Sequence, residues 1–413
     1  MSRAWVGSGA GDGPAAGDVD GAAPRGTVAT PGARPDEARR HNRAALLRRL
    51  HVHGPRTRAT LATELGLNRS TIKAVVDGLA EAGVVTEAVP AQRNGAGRPS
   101  LMVIPKAEAA VVLAIDVRVE QVAMSMVGIG GQVLGRHSWN LHSRTRTPGE
   151  VITHIAESAQ LLGEELAVTA QGAGVSVPGV VRRDDGWVHE APNLGWRDVA
   201  LGTRLASVLR VPVQVANDAE LGALAEHVRG AAHGVTDLVY ISADKGVGGG
   251  VISEGRPLRG TRGYVGELGH LVVRPGGRDC YCGSRGCWET EVGEAAMCRA
   301  LGLSEDTPRG VVVAELRSLA TAPLPGPLDE LAEWLTTGLV TVVNMMAPEL
   351  VVLGDLFTAL PPALVDRVRA GVHERSLVSR AVGGIAITTS PLGRDAKLVG
   401  AAELAFEPVL GAV

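Results

Sequence analysis

One histidine and three cysteines stand in a single short run: His270, Cys280, Cys282 and Cys287. Thiolates with one imidazole are the donors of a closed tetrahedral zinc site, so the spacing predicts a structural Zn2+. The bland alternative is a set of cysteines packed as small hydrophobes. Glycines and charges crowd this stretch, and Glu267 and Glu289 flank it, which favours the metal. Cys298 lies beyond the run. Four cysteines in the whole chain leave no disulfide framework, which fits a reducing cytoplasm.

A second kind of chemistry sits nearer the start. Arg69, Ser70, Thr71 and Lys73 open a stretch with Ile72, Val75, Val76 and Leu79 at helical spacing, and Asn68 stands ready to cap it. Residues 36–100 carry a net charge of +5, whereas the chain as a whole carries −3. A basic front on an acidic body points to a polyanion that meets the front alone. Basic and polar side chains at the exposed start of such a helix reach base edges in a major groove. A packing module with a solvated basic face is the alternative.

Helices are expected at 36–53, from the cap Thr57 to Leu65, and from Asn68 to the stop at Gly83. Two of them joined by a tight turn make a helix-turn-helix. Strand-like runs at 84–86 and 101–104 enclose a Gly/Pro/Arg-rich loop, a β-wing, in which Arg93 and Arg98 could touch phosphates or the minor groove. Residues 1–35 have too few large apolar side chains to offset the entropy of ordering and read as a disordered tail, with no secretory signal in them. Beyond 106 strands alternate with helices twice over, which predicts an α/β body of two lobes with a cleft, about 106–230 and 231–385, and a C-terminal helix returning to the first lobe. The apolar run from Leu335 to Leu353 contains Asn344 and Glu349 and reads as a buried helix and strand, not a membrane span.

On five motifs the chain resembles the ROK family of sugar kinases and sugar-responsive repressors. They are Gly266-Glu267-Leu268-Gly269-His270, the Cys280-x-Cys282-x4-Cys287 string, Pro178-Gly179, Asn217-Asp218 and Gly246-Val-Gly-Gly-Gly250. The resemblance runs from about 40 to 405 and implies an N-terminal winged helix-turn-helix followed by a two-lobed actin/hexokinase-like ATPase fold. It further implies a sugar in the cleft, contacted by Gly179, Asn193, Asn217, Asp218, Glu267, His270 and Glu289. His270 would then serve twice, one ring nitrogen on zinc and the other towards a sugar hydroxyl. Taken singly, Asn193 could be a turn residue and Glu289 a solvated helix start.

The chain departs from the family's kinases where they carry Asp-x-Gly-Gly-Thr. Here the positions read Asp116-Val117-Arg118-Val119-Glu120, with no glycine to let backbone approach phosphate. Gly354-Asp355 adds a carboxylate near the same place, and the glycines at 246–250 are expected to serve a turn. Asp218, the base in a kinase, becomes a sugar anchor. The expectation is a repressor of carbohydrate-metabolism genes that is not an enzyme, acting as a homodimer or homotetramer on operator DNA with a sugar or sugar-phosphate effector and no membrane. The alternative is a bifunctional ATP-dependent, glucokinase-like sugar kinase with a DNA-binding domain.

Overall fold

A computed structural model describes residues 35–89, 101–142, 146–320 and 326–412. The front of the chain is a head of three helices, α1 (Pro35–His53), α2 (Arg58–Leu65) and α3 (Arg69–Glu81), with strands β1 (Arg56–Thr57), β2 (Val85–Ala88) and β3 (Met102–Pro105). The strands pair antiparallel in the order β1-β3-β2. Local chemistry sets the boundaries. Thr57 accepts from the Thr60 N–H, Asn68 accepts from the Thr71 N–H, and α2 ends on Gly66 in the left-handed region. These are the elements of a winged helix-turn-helix; the wing tip, with Arg93 and Arg98, lies outside the described residues.

The first lobe contains β4 (Val111–Val117), β5 (Gln121–Gly128), β6 (Gln132–Asn140), α4 (Pro148–Leu166) and β7 (Ala173–Val177). A small antiparallel sheet of β8 (Val180–Arg182), β9 (Trp187–Ala191) and β10 (Trp196–Ala200) follows, then α5 (Leu201–Leu209), β11 (Val213–Asn217) and α6 (Asp218–Arg229). The main sheet runs β11-β7-β4-β5-β6. All seven residues of β4 are buried, as expected of a strand covered on both faces.

The second lobe repeats the plan with β12 (Leu238–Ala243), β13 (Val247–Ser253) and β14 (Arg256–Pro257). The helices α7 (Trp288–Val292), α8 (Glu294–Ala300), α9 (Arg309–Ser318) and α10 (Gly326–Met346) come next. They are followed by β15 (Leu350–Asp355), α11 (Pro362–Arg375), α12 (Leu377–Ala381) and β16 (Ala386–Thr389), in a sheet ordered β14-β13-β12-β15-β16. The last helix, α13 (Ala396–Ala412), returns to the first lobe and lies on α6, β4 and β7. A Cβ on Gly400 would meet the Leu221 carbonyl oxygen at 1.9 Å, so only glycine lets α13 settle so close to α6.

Parallel strands β4, β7 and β11 in one lobe, and β12 and β15 in the other, point their carboxyl ends into the cleft. Asp116, Asp218, Asp244 and Asp355 sit at or just past those ends. Crevices outside the carboxyl ends of such strands are where open α/β sheets bind ligands. Among the described residues, no helix is long and apolar enough to cross a membrane.

The glycine run was expected to make a turn. Instead Gly248, Gly249 and Gly250 lie within β13, and none of the three has a positive φ. A Cβ on Gly250 would meet the Ala219 carbonyl oxygen at 2.3 Å, and one on Gly249 would meet Leu268 at 2.5 Å. The run is a smooth strand surface that lets α6 and the loop carrying Glu267 approach closely.

The head does not hang from a linker. Leu46, Leu47 and Leu50 of α1, with Leu61, Ile72, Val76 and Leu79, join one continuous apolar cluster with Leu398, Phe406, Val409 and Leu410 of α13. A fully buried leucine is worth about 1.5–3 kcal/mol. The head core and the face of α13 therefore share one apolar interior.

Candidate functional site

The ligand-like loop is closed by isolated bridges pairing Val272 with Cys287 and Asp279 with Arg285. Its donor atoms, from His270, Cys280, Cys282 and Cys287, all lie within 4.8 Å of one another. The Cys282 and Cys287 sulfurs are 3.7 Å apart, and the Cys280 sulfur is 3.5 Å from His270 Nδ1. Metal–sulfur bonds of about 2.3 Å in a tetrahedron give sulfur–sulfur edges of about 3.8 Å, so the donor set fits one zinc ion. Cys298 is excluded; it is fully buried in the second lobe's core. The second nitrogen of His270, expected to face a sugar hydroxyl, instead meets the Tyr281 hydroxyl at 2.9 Å. Tyr281 is thus the partner that orients the ring, and the sequence reading missed it.

The residues assigned to the sugar by resemblance come together. Gly179, Asn193, Asn217, Asp218, Glu267, His270 and Glu289 all line one cleft of about 480 Å3, with Tyr281 beside them. Their side chains are not equally available. Asn217 donates to the Gly179 carbonyl at 2.9 Å and accepts from the Ala219 and Glu220 N–H groups, so it caps α6 and fixes the Pro178-Gly179 loop. Asp218 accepts from the Ala219 N–H on one oxygen and pairs with Lys397 at 2.6 Å on the other. Glu267 and Glu289 stand 3.8 and 3.9 Å from the two nitrogens of His270.

The side of the cleft where the resemblance would place phosphates is quite different. Arg118, one of the residues replacing the glycines, folds inward onto buried Asp116 at 2.5 Å and donates to the Arg394 carbonyl at 2.7 Å. Glu120 faces Lys245 at 3.6 Å, and Lys245 also pairs with buried Glu294 at 3.2 Å. Arg309 pairs with Asp244 and lies 3.8 Å from Asp355. Only about 20 Å3 of free volume is left among these side chains. Burial works against the charge of Lys397, yet Asp218, Asp355 and Asp244 outweigh it and hold the ammonium well above an ordinary lysine. The sequence offered one signal for this residue, a single lysine in an otherwise apolar helix start, Ala396-Lys397-Leu398-Val399-Gly400.

The exposed start of α3 carries Arg69, Ser70 and Lys73 at the surface, with Thr71 half-buried. Ser70 donates to its capping neighbour Asn68, and Lys73 pairs with Asp77 at 2.6 Å. Arg58 bridges Asp77 and Glu87, so the helix is braced from behind. Arg69 makes no hydrogen bond or ion pair among the described residues.

A buried polar knot joins head to body. His51 of α1 accepts the Gly130 N–H on Nδ1 at 2.9 Å, and its Nε2 lies 2.9 Å from a Glu403 oxygen of α13 and 2.8 Å from Arg229 Nη2. Arg229, at the end of α6, reaches the other Glu403 oxygen at 2.8 Å. The helix that starts at Asp218 therefore ends in this clasp on the head, and the helix that carries Lys397 near its start reaches it at mid-length.

Comparison with known proteins agrees with this geometry. A model described as the ROK family matches residues 112–407. The xylose repressor of Bacillus subtilis is 28% identical over 370 residues, spanning 89% of this chain and 96% of its own. A glucokinase of Streptomyces coelicolor is 29% identical over 315 residues, spanning 98% of its own length but 72% of this chain. A solved ROK family transcriptional regulator, a homologue of the E. coli MLC protein, superposes with a TM-score of 0.74 at 23% identity. It covers 91% of this chain and 97% of its own, a likeness of fold.

Proposed function

Because this chain belongs to the ROK family, we propose that it is a sugar-responsive DNA-binding transcriptional repressor of carbohydrate-metabolism genes whose kinase-like body performs no phosphoryl transfer. The divided cleft carries this reading. Its sugar side is open and lined by carboxylates and amides, which match the paired donors and acceptors of a sugar. Its phosphate side is filled by the chain's own ion pairs. The relatives support it too. The xylose repressor aligns across most of this chain, whereas the glucokinase leaves more than a quarter of it unmatched.

In this reading sugar closes the lobes, and α6 and α13 carry the change to the head. A structural zinc held by His270, Cys280, Cys282 and Cys287 would cross-link the loop that presents Glu267 and Glu289. Operators mirror protein symmetry, so the proposed working form is a homodimer or homotetramer on an inverted repeat.

The direct test incubates the purified protein with ATP, Mg2+ and a panel of aldoses, and follows operator binding in parallel. The expected result is sugar-dependent operator binding with no phosphorylated sugar. Phosphorylation that Asp218→Asn abolishes would favour a bifunctional kinase instead.

The α3 assignment has its own test. Arg69→Ala is expected to weaken operator binding by about 1–3 kcal/mol and to relax specificity at one position, as for a base contact. Lys73→Ala should weaken all sequences alike and lower the slope against log salt by about one, as for a phosphate contact. Unchanged affinity in both variants, measured by anisotropy titration, would remove α3 from the interface.

A further inference from the structure

At the floor of the cleft one ammonium faces three carboxylates. Lys397 Nζ lies 2.6 Å from Asp218 Oδ2, 2.9 Å from Asp355 Oδ2 and 3.6 Å from Asp244 Oδ2, with the lysine side chain 3% exposed. The Asp355 contact is an ion pair rather than an aligned hydrogen bond. Asp218 belongs to the first lobe, as does α13, which carries Lys397. Asp244 and Asp355 end neighbouring strands of the second lobe. Lys397 is thus a bridge between lobes, directly behind the sugar cleft. Removing one partner of a buried ion pair leaves the remaining charges uncompensated. Here the survivors would be three carboxylates converging on one space, with Arg309 beside Asp244 and Asp355 but no cation partner left for Asp218 among the described residues.

We infer that Lys397 is a positioning residue of the sugar site, a built-in cation that holds the Asp218 carboxylate in place as an acceptor for a sugar hydroxyl and ties the two lobes together behind it. The inference rests on the sugar-binding reading above and adds how the cleft works without a nucleotide. With the Ala219 N–H on one oxygen and Lys397 on the other, the Asp218 carboxylate is fixed in direction. A lysine suits this place because its ammonium is a compact point charge that can face several carboxylates at once.

The test uses the full-length protein, with D-xylose and D-glucose as probes and affinity read by calorimetry. Lys397→Met is expected to weaken sugar binding by about tenfold or more. Mn2+, which favours carboxylate oxygens, is then expected to recover most of that loss by settling among Asp218, Asp244 and Asp355. Mn2+ should leave the parent protein unchanged. A lysine that merely stabilised the fold would give no cation-dependent affinity, so weakening without recovery overturns the inference, as does parent-like affinity without Mn2+.

Should Lys397→Met not fold, Lys397→Met/Asp355→Asn removes one anion together with the cation and decides the matter. It should bind the same sugar about tenfold more weakly than the parent; parent-like affinity in this variant overturns the inference. A parent protein that binds neither aldose counts against the sugar-binding reading, and the inference falls with it. Binding by the parent with an unaffected Lys397 variant sinks the inference alone.

Discussion

Glu403→Gln is expected to cost about 3 kcal/mol of stability, because it strips the buried charge that half-buried Arg229 and the His51 ring both require. The larger consequence concerns response. Operator binding should lose its dependence on sugar while the affinity for sugar itself stays within about twofold. Denaturant unfolding gives the first quantity, and operator titrations with and without sugar give the second. Arg49→Ala, which breaks a half-exposed pair with Glu64, should change stability by no more than about 1 kcal/mol and leave the response intact. If Glu403→Gln lowers stability but the response survives, the clasp is only structural.

The clasp also has a pH signature. Burial works against the Glu403 charge, but His51 and Arg229 hold its carboxyl below the ordinary glutamate range. A depressed carboxyl contributes stability that is complete above the unfolded value, about 4.3. That contribution is lost as pH falls through the lower folded value. Acid unfolding of the parent should therefore be steeper than that of Glu403→Gln.

The second large effect is at the metal loop. Cys282→Ser is expected to lower zinc from about one ion per chain to a small fraction of that, since structural sites need all four donors. Binding of structural zinc is worth on the order of 10 kcal/mol, and here it would be spent on holding a loop with little regular structure. Releasing His270 frees the ring that stands between Glu267 and Glu289, so sugar affinity should fall by about tenfold or more. Metal analysis and calorimetry on the same preparation check both statements. Metal-free protein with full sugar affinity would detach the cysteines from the binding site.

The sequence made much of this legible because the chemistry is local. Thr57 and Asn68 cap helices through their own near neighbours, and Cys280, Cys282 and Cys287 reach one point through a short loop. The seven cleft residues could be placed through resemblance. What stayed hidden depends on distant partners. Lys397 meets Asp218 across 179 positions, and His51 meets Glu403 across 352. A lysine at a helix start or a histidine at a helix end reads as solvated until tertiary packing supplies the carboxylate. The glycine run misled for a related reason. Glycine marks close approach as well as turning, and only the position of α6 against β13 tells which. At Asn217, type and place suggested a ligand contact, whereas its amide is committed to the cap and to Gly179.

The apolar seam between α1 and α13 sets an order of events during synthesis. The head is made before α13, yet the leucines on α1 join Phe406, Val409 and Leu410 only when α13 has left the ribosome. Until then Leu46, Leu47 and Leu50 lack their partners on the body, and His51 lacks Glu403. A nascent chain that has not yet released α13 therefore carries a head that is not seated on the body. A docked head thus reports that α13 has been made and packed, its Glu403 lying 352 positions after the histidine it clasps.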